Sequence, residues 1–335
     1  MTPPAVTDAA EPRATRLLGS DPTDRSLRRH LAQLPGVDGV GLTERAAQLA
    51  TRSLKGDSKR RALDLAVSLI DLTTLEGADT AGRIRSLVAK ARQPDLEDPG
   101  CPRPAAVCVY GDLVAEAVAA RGQVGDLAAG GFNIAAVATA FPSGRASREV
   151  KLADTREAIA AGAEEIDMVI DRGAFLAGRY GQVFDDIVAV KDACLRPDGS
   201  RAHLKVILET GELGGYDAIR RASWLAILAG ADFIKTSTGK ISSAATRPTT
   251  LLMLRTVGDW HRLTGERIGV KPAGGIRAAT DALAYLVLVA ETLGEEWLRP
   301  ELFRFGASGL LNDILLQRQR LRRGAYSGPD HVTTV

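Results

Sequence analysis

The chain has 335 residues, 45% of them hydrophobic and 25% charged, enough for one large domain or two smaller ones with a sizeable buried core. A formal net charge of only +2 sets aside nucleic acid as a partner and any acidic solubilising tail. Three scattered cysteines, Cys101, Cys108 and Cys194, make neither a disulfide framework nor a C-x-x-C pair, which predicts a reducing cytoplasm.

Residues 1–23, beginning MTPPAVTDAAEPR, are polar and proline-bearing and lack the apolar core of a signal peptide, so they read as a disordered segment. Residues 24–68 turn helical in period, as in DRSLRRHLAQL, LTERAAQLATRSL and SKRRALDLAVSLI, and form an N-terminal helical extension. No run approaches about 18 uninterrupted apolar residues, so no membrane partner is expected. Residues 324–335, GAYSGPDHVTTV, read as a flexible tail, and whether Tyr326 folds over a site is not legible.

From residue 69 to 323, short Val- and Ile-rich runs alternate with amphipathic stretches, the pattern of repeated βα units around a parallel sheet. In chain order the strands are LIDL near Asp71, AAVCVY (Ala105–Tyr110), NIAAVAT (Asn133–Thr139), EIDMVI (Glu165–Ile170) and LKVILET (Leu204–Thr210). Then come DFIKTS (Asp232–Ser237), RIGVKP (Arg267–Pro272) and LFRFGA (Leu302–Ala307). Eight such units close a (β/α)8 TIM barrel, whereas a doubly wound sheet usually has about five or six strands and a G-x-G-x-x-G after the first. That motif is missing here.

A barrel carries its site at the C-terminal ends of its strands. Asp71, Asp167, Lys235 and Lys271 lie inside or at the far end of apolar strands, where a charge is expensive unless paired or used. His203 lies at a strand start, on the wrong face. A strand-end lysine often only snorkels or pairs with a carboxylate, but Lys235 runs directly into Thr236-Ser237-Thr238-Gly239-Lys240, a hydroxyl- and glycine-rich turn suited to anions. As an amine nucleophile Lys235 must be neutral, and at a pKa of ~10.4 only about one lysine in 2,500 is neutral at pH 7. Desolvation and a nearby cation both lower that pKa. Lys271, at the same depth on the next strand, supplies the cation; a plain salt bridge to Asp167 or Asp71 is the competing account of it.

The run DFIKTSTGK (Asp232–Lys240) resembles the active-site signature of the deoxyribose-phosphate aldolases, class I Schiff-base aldolases. IDLTTL, AAVCVY, EIDMVI, KVILETGEL, VKPAGGIR and FRFGAS follow that family's order between Ile70 and Leu311. The resemblance implies reversible, metal-independent cleavage of 2-deoxy-D-ribose 5-phosphate to acetaldehyde and D-glyceraldehyde 3-phosphate, within deoxynucleoside catabolism. It assigns the Schiff-base lysine to Lys235, the perturbing lysine to Lys271, the proton-relay aspartate to Asp167 and the first-strand aspartate to Asp71. No cofactor is implied beyond the covalent adduct on Lys235, and the partner is a small phosphorylated sugar. Nothing decides between a monomer and a homo-oligomer.

Barrels hold phosphate among the loops after the late strands, which points to Thr238, Gly239 and Lys240, to Gly274, Gly275 and Arg277, and to Gly306 and Ser308. A single glycine pair is usually only a turn; three clusters after consecutive strands ask for more. Gly309 stands where many family members carry a second serine, and FPSG (Phe141–Gly144) together with the long N-terminal extension is closer to the eukaryote-like branch. Cys108 reads as a small core residue rather than a nucleophile, having no histidine beside it. Lys205 and Glu209 are expected in a buried polar network with the catalytic groups. The four histidines, His30, His203, His261 and His331, have no metal-ligand spacing, which disfavours a zinc aldolase. A phosphosugar-binding barrel without activity is the rival of a different class, and turnover of the phosphosugar separates the two.

Overall fold

The structure, a computed structural model, describes residues 13–19, 21–122, 131–242 and 244–325. The strands are β1 (Ile70–Thr73), β2 (Ala106–Tyr110), β3 (Asn133–Ala138), β4 (Glu165–Val169), β5 (His203–Ile207), β6 (Phe233–Lys235), β7 (Gly269–Lys271) and β8 (Phe305–Ala307). Every pairing between them is parallel, in the order β7-β6-β5-β4-β3-β2-β1-β8. Bridges Val270–Phe303 and Ala273–Gly306 join the two ends of that sheet, so it closes into the expected barrel.

Four helices precede the barrel: α1 (Arg13–Leu18), α2 (Asp24–Gln33), α3 (Gly39–Ala50) and α4 (Gly56–Ser68). The helices between strands and after them are α5 (Ala81–Arg92), α6 (Val114–Gly122), α7 (Arg148–Ala160), α8 (Arg172–Leu176), α9 (Tyr180–Ala193), α10 (Tyr216–Leu228), α11 (Arg247–Thr264), α12 (Ala279–Leu293) and α13 (Leu310–Arg323). Local chemistry sets their ends. Thr23 and Ser26 form a reciprocal capping box at the start of α2, and Gly265, at φ +75°, terminates α11 in the left-handed conformation.

The leading helices lie along the outer wall: α2 packs on α9 and α10, α3 on α11 and α12, and α4 on α12 and α13. One expectation needs correction. Residues 13–18, read from composition as part of a disordered segment, are the helix α1, with Ala14 fully buried. Arg13 Nη1 donates to the Ala231 carbonyl at 2.6 Å and its guanidinium pairs with Glu266 at 2.6 Å. The remainder of that segment up to residue 12, and the tail from 326 onward with Tyr326 and His331, lie outside the described residues.

Parallel strands wrapped by helices are buried on both faces, so their sequences are nearly continuous apolar runs. The alternation still sorts them. Ile166 and Met168 of β4, Leu204 and Val206 of β5, Ile234 of β6 and Val270 of β7 belong to the main core. The residues between them face the barrel interior. On β2 and β3 these include the small, apolar Ala106, Cys108, Ala135 and Val137; on β4 to β7 they include the charged Glu165, Asp167, Lys205, Lys235 and Lys271. Near the lower end Phe233 fills the interior so closely that a Cβ on Gly269 would come within 2.3 Å of its ring, which explains the glycine there.

Candidate active site

Lys235 ends β6, Lys271 ends β7, and the two are register partners, at equal depth as expected. Both amines point into the barrel, where the residues are 3% and 0% exposed. Asp167 Oδ2 accepts from both, at 2.7 Å from Lys235 Nζ and 2.7 Å from Lys271 Nζ. Its Oδ1 accepts from Lys205 Nζ at 2.9 Å. Asp71 Oδ2 lies 2.5 Å from Lys271 Nζ and 3.6 Å from Lys205 Nζ, and Asp71 Oδ1 accepts from Arg304 Nη1 at 2.6 Å. Glu165 completes the network: it pairs with Lys205, takes Arg304 Nη2 at 2.9 Å and is steadied by Asn133 Nδ2 at 2.7 Å.

These neighbours give the lysines different states. Lys235 has its pKa lowered, because burial outweighs the single carboxylate of Asp167 and the Lys271 ammonium adds to the effect. In Lys271 burial is overcome by Asp167 and Asp71 together, so its pKa is raised and it stays a cation. Lys205 is likewise raised: burial is opposed there by Asp167, Glu165 and Asp71. Burial alone would raise the pKa of Asp167, but Lys205, Lys235 and Lys271 hold it well below the usual carboxylate range. Lys271 therefore forms both salt bridges that were its competing explanation and still stands as the second cation beside Lys235. The two readings coexist in one geometry.

Above Lys235 opens a cavity of about 510 Å³, walled by the loops after β1, β6, β7 and β8 and by faces of α5 and α13. Thr238, Gly239, Lys240, Gly274, Gly275, Arg277, Gly306 and Ser308 all line it, as Lys235 does, while Asp167, Asp71 and Lys271 are not among its lining residues. Gly274 sits at φ +82°, and a Cβ there would approach Ala244 Cβ to 2.7 Å, so only glycine brings this backbone so close to the cavity. Lys240 Nζ donates to Glu76 Oε1 at 2.9 Å across the cavity. At Gly309, φ is −70° and nothing lies within 4 Å of an added Cβ, so the position has room for the missing serine.

Lys205 joins the charged network as expected; Glu209 does not. Its carboxylate turns to Thr238, accepting from Oγ1 at 2.5 Å and from the backbone N–H at 3.3 Å, and burial raises its pKa. Glu209 thus braces the Lys235 loop instead. Cys108 is fully buried among small side chains, and burial pushes its thiol up to about 11. His30 and His261 pack edge-on against Trp224 and Trp297, and His203 is exposed at the start of β5. Among the described residues no group of three or more His, Cys, Asp or Glu is placed to hold a metal ion.

Sequence reading missed Glu165 and Arg304 in the network, and Arg83, Lys90 and Asn312 on the cavity wall. Glu165 was findable, since it stands two residues before Asp167 and so on the same strand face. For the wall residues the available signal was the i, i+4, i+7 spacing of Arg83, Leu87 and Lys90 on α5.

The sequence model for the family described as DeoC/LacD family aldolase matches residues 65–314. A deoxyribose-phosphate aldolase from Homo sapiens is 45% identical over 303 residues, which cover 87% of this chain and 92% of that protein. One from Mus musculus is 43% identical over 301 residues, with the same shares covered, 87% and 92%. Among solved structures, the tetrameric deoxyribose phosphate aldolase from Aeropyrum pernix superposes with a TM-score of 0.58 at 22% identity, covering 84% of this chain and 98% of that one, a likeness of fold.

Proposed function

Because the chain belongs to the DeoC/LacD family of aldolases, we propose that it is an aldehyde-lyase that cleaves 2-deoxy-D-ribose 5-phosphate reversibly to acetaldehyde and D-glyceraldehyde 3-phosphate through a Schiff base on Lys235. The observation that carries this reading is the inequality of two register-paired lysines: Lys235, with one carboxylate, is shifted toward the neutral amine, while Lys271, with two, is held as the ammonium.

In the direction of synthesis, the neutral Lys235 amine adds to the carbonyl carbon of acetaldehyde. The carbinolamine loses water to give an iminium, whose positive nitrogen acidifies the adjacent methyl group. Asp167 Oδ2 lies 2.7 Å from both amines, which supports it as the relay of protons between Lys235 and the adduct. Its depressed pKa makes it a carboxylate at working pH, so it takes a proton only transiently. Loss of the methyl proton gives the enamine, which attacks the aldehyde carbon of glyceraldehyde 3-phosphate; hydrolysis then frees the product and returns the amine. Lys271 keeps a positive charge beside the nitrogen throughout, and Asp71 keeps Lys271 charged.

The phosphate belongs in the cavity among the Gly239, Gly274–Gly275 and Gly306–Ser308 loops, where backbone N–H groups, Arg277 and Ser308 are available as donors. No metal takes part in this scheme. Three free, buried cysteines support a cytoplasmic setting, and the substrate places the reaction in deoxynucleoside catabolism. Among the described residues no helix is long and apolar enough to cross a membrane.

The test is reduction with borohydride in the presence of acetaldehyde, followed by peptide mapping. An ethyl adduct on Lys235, with turnover of deoxyribose 5-phosphate by the untreated protein, is the expected result. An adduct on Lys271 or Lys240 sinks the assignment, and a trapped adduct without turnover of the phosphosugar leaves a Schiff-base protein with another substrate.

A further inference from the structure

One ion pair spans the rim of the cavity. Around the barrel β1 is joined to β8, β8 through the closing bridges to β7, and β7 to β6. The loops after β7 and β8, with Gly274–Gly275 and Gly306–Ser308, therefore lie between the loop after β6 and the loop after β1. Glu76 of the β1 loop and Lys240 of the β6 loop pair at 2.9 Å across that stretch, and both line the cavity. Neither end is loose. Asp79 accepts from the Glu76 backbone N–H at 2.9 Å and from Thr74 Oγ1 at 2.9 Å, and it pairs with Arg83 at 3.3 Å. The Lys240 backbone N–H donates to Thr238 Oγ1 at 3.1 Å, closing a turn around Gly239 at φ +78°.

A carboxylate set among anion donors works against them unless it has a use. The loops here offer a phosphate their backbone N–H groups, Arg277 and Ser308, and Glu76 places a negative charge in the same cavity. The Glu76 and Lys240 side chains are 60% and 28% exposed, so their pair contributes little to stability and opens readily. An arriving phosphate dianion is a stronger partner for the ammonium than a single carboxylate. The sugar phosphate and the glyceraldehyde 3-phosphate released from it carry the same group, so each contact that holds the first also detains the second. We propose that Glu76 sets the affinity for the phosphate: its carboxylate holds Lys240 while no anion is bound, yields it to the incoming phosphate, and takes it back as the phosphorylated product leaves. The identity of substrate and product rests on the aldolase reading; the exchange of anions on Lys240 does not.

The experiment uses the full chain as wild type, Glu76→Gln, Lys240→Met and the double variant. It measures by calorimetry the affinity for inorganic phosphate, and by initial rates KM for 2-deoxyribose 5-phosphate and for 2-deoxyribose and the inhibition constant of glyceraldehyde 3-phosphate. Glu76→Gln keeps the shape and removes the charge. It should bind inorganic phosphate about two- to fivefold more tightly, the range for releasing one exposed ion pair. KM for the sugar phosphate and the inhibition constant should fall by a similar factor, with KM for the neutral sugar unchanged. In the Lys240→Met background most of this gain should disappear, because no ammonium is left to contest. Weaker phosphate binding in Glu76→Gln would make Glu76 a brace that holds Lys240 in place, and an equal gain with and without Lys240 would reduce it to repulsion at a distance; either overturns the exchange. So does an unshifted phosphate affinity, a phosphate affinity undetectable in all four proteins, or an equal shift in KM for both sugars. Tighter phosphate in Glu76→Gln, in a protein that turns over neither sugar, removes the aldolase reading and leaves the exchange; normal turnover with an unshifted phosphate affinity does the reverse.

Discussion

The two ends of the barrel interior treat buried charge in opposite ways. Toward the N-terminal ends of the strands, Lys205 and Arg304 meet Glu165, Asp71 and Asp167, and each cation has at least two carboxylates. At the C-terminal end Lys235 has, among the described residues, only Asp167, which it shares with two other ammonium groups. Lys205 and Lys235 are equally buried, yet their pKa values move in opposite directions. The number of carboxylates per amine, not burial, decides which lysine is a nucleophile and which is a strut. Changes at the upper end should therefore cost rate and changes at the lower end should cost stability.

The sharpest test of the upper end is Lys235→Ala. It removes one amine from a layer still held by Lys271 and Lys205, so turnover and borohydride trapping should fall by a factor on the order of 10⁴ or more, with a melting temperature near that of wild type. A variant that unfolds instead would make Lys235 a strut like Lys205.

The lower end is tested by Arg304→Met. The substitution leaves Glu165 and Asp71 buried with less countercharge, and breaking one side of a buried pair costs about 3–5 kcal/mol, measurable by urea unfolding at pH 7. The pH dependence follows from the signs. Arg304 helps to lower the pKa values of Glu165 and Asp71, so its contribution is present above the unfolded carboxylate pKa of about 4 and disappears as the pH falls through the folded values. Wild type and variant should thus converge in stability in acid. A gap that persists there would point to lost packing on Phe233, over whose ring the guanidinium sits at 5.8 Å.

Asp167 belongs to both ends, and Asp167→Asn separates its roles. Exchange of the acetaldehyde methyl protons with deuterated water, measured by NMR without acceptor, should fall by about 10²-fold or more, within the range for loss of a general base. Some trappable adduct should survive, because addition needs only the neutral amine. Exchange near the wild-type rate would make Asp167 structural and turn attention to Asp71.

Lys271→Leu probes the inequality itself. The neutral form of Lys235 reacts, so kcat/KM rises with pH through the Lys235 pKa. Removing Lys271 takes away a cation that lowers this pKa and frees Asp167 to favour the Lys235 ammonium; both raise the pKa, and the acidic limb of the profile should move to higher pH. An unmoved limb would mean that burial alone sets the state of Lys235.

How much of this was legible in the sequence depends on where each residue lies. The strands were readable because helices cover them, which forces Val and Ile on to both faces, and Lys235 and Lys271 stood out as charges ending such runs. Glu165 opens β4 and Arg304 stands one residue before β8; a rule that looks for sites at strand ends sets both aside, although the partners they stabilise are the ones it selects. Lys90 and Asn312 were missed for another reason. On a helix a cation is normally solvated, and only the packing of α5 and α13 on either side of β8 and β1 turns those positions inward. Glu209 was misplaced because its backbone takes a left-handed conformation, φ 53°, which breaks the alternation that would have aimed it at the lysines.

The last prediction carries the comparison to the outermost part of the lower end. At six residues, α1 is too short to show a period or to be stable alone, so whatever holds it is tertiary. Its Arg13 contacts, the Ala231 carbonyl and Glu266, lie just before β6 and β7, on the face of a barrel associated with stability. Two truncations isolate it, one removing residues 1–12 and one removing residues 1–18. The difference between them comprises a charge-assisted hydrogen bond, the ion pairs of Arg13 and Arg16 with Glu266 and the burial of Ala14, together worth about 2 kcal/mol, or a fall of about 3–6 °C in Tm. Lys235 is fixed by strands and by Asp167, none of which touches α1 among the interactions described, so kcat and the pH profile should match between the two truncations. Equal melting temperatures would return residues 13–18 to the disordered segment that their composition suggested. A fall in kcat without a fall in Tm would break the division between the two ends, since it would mean that the bottom of the barrel helps to set the state of the nucleophile at its top.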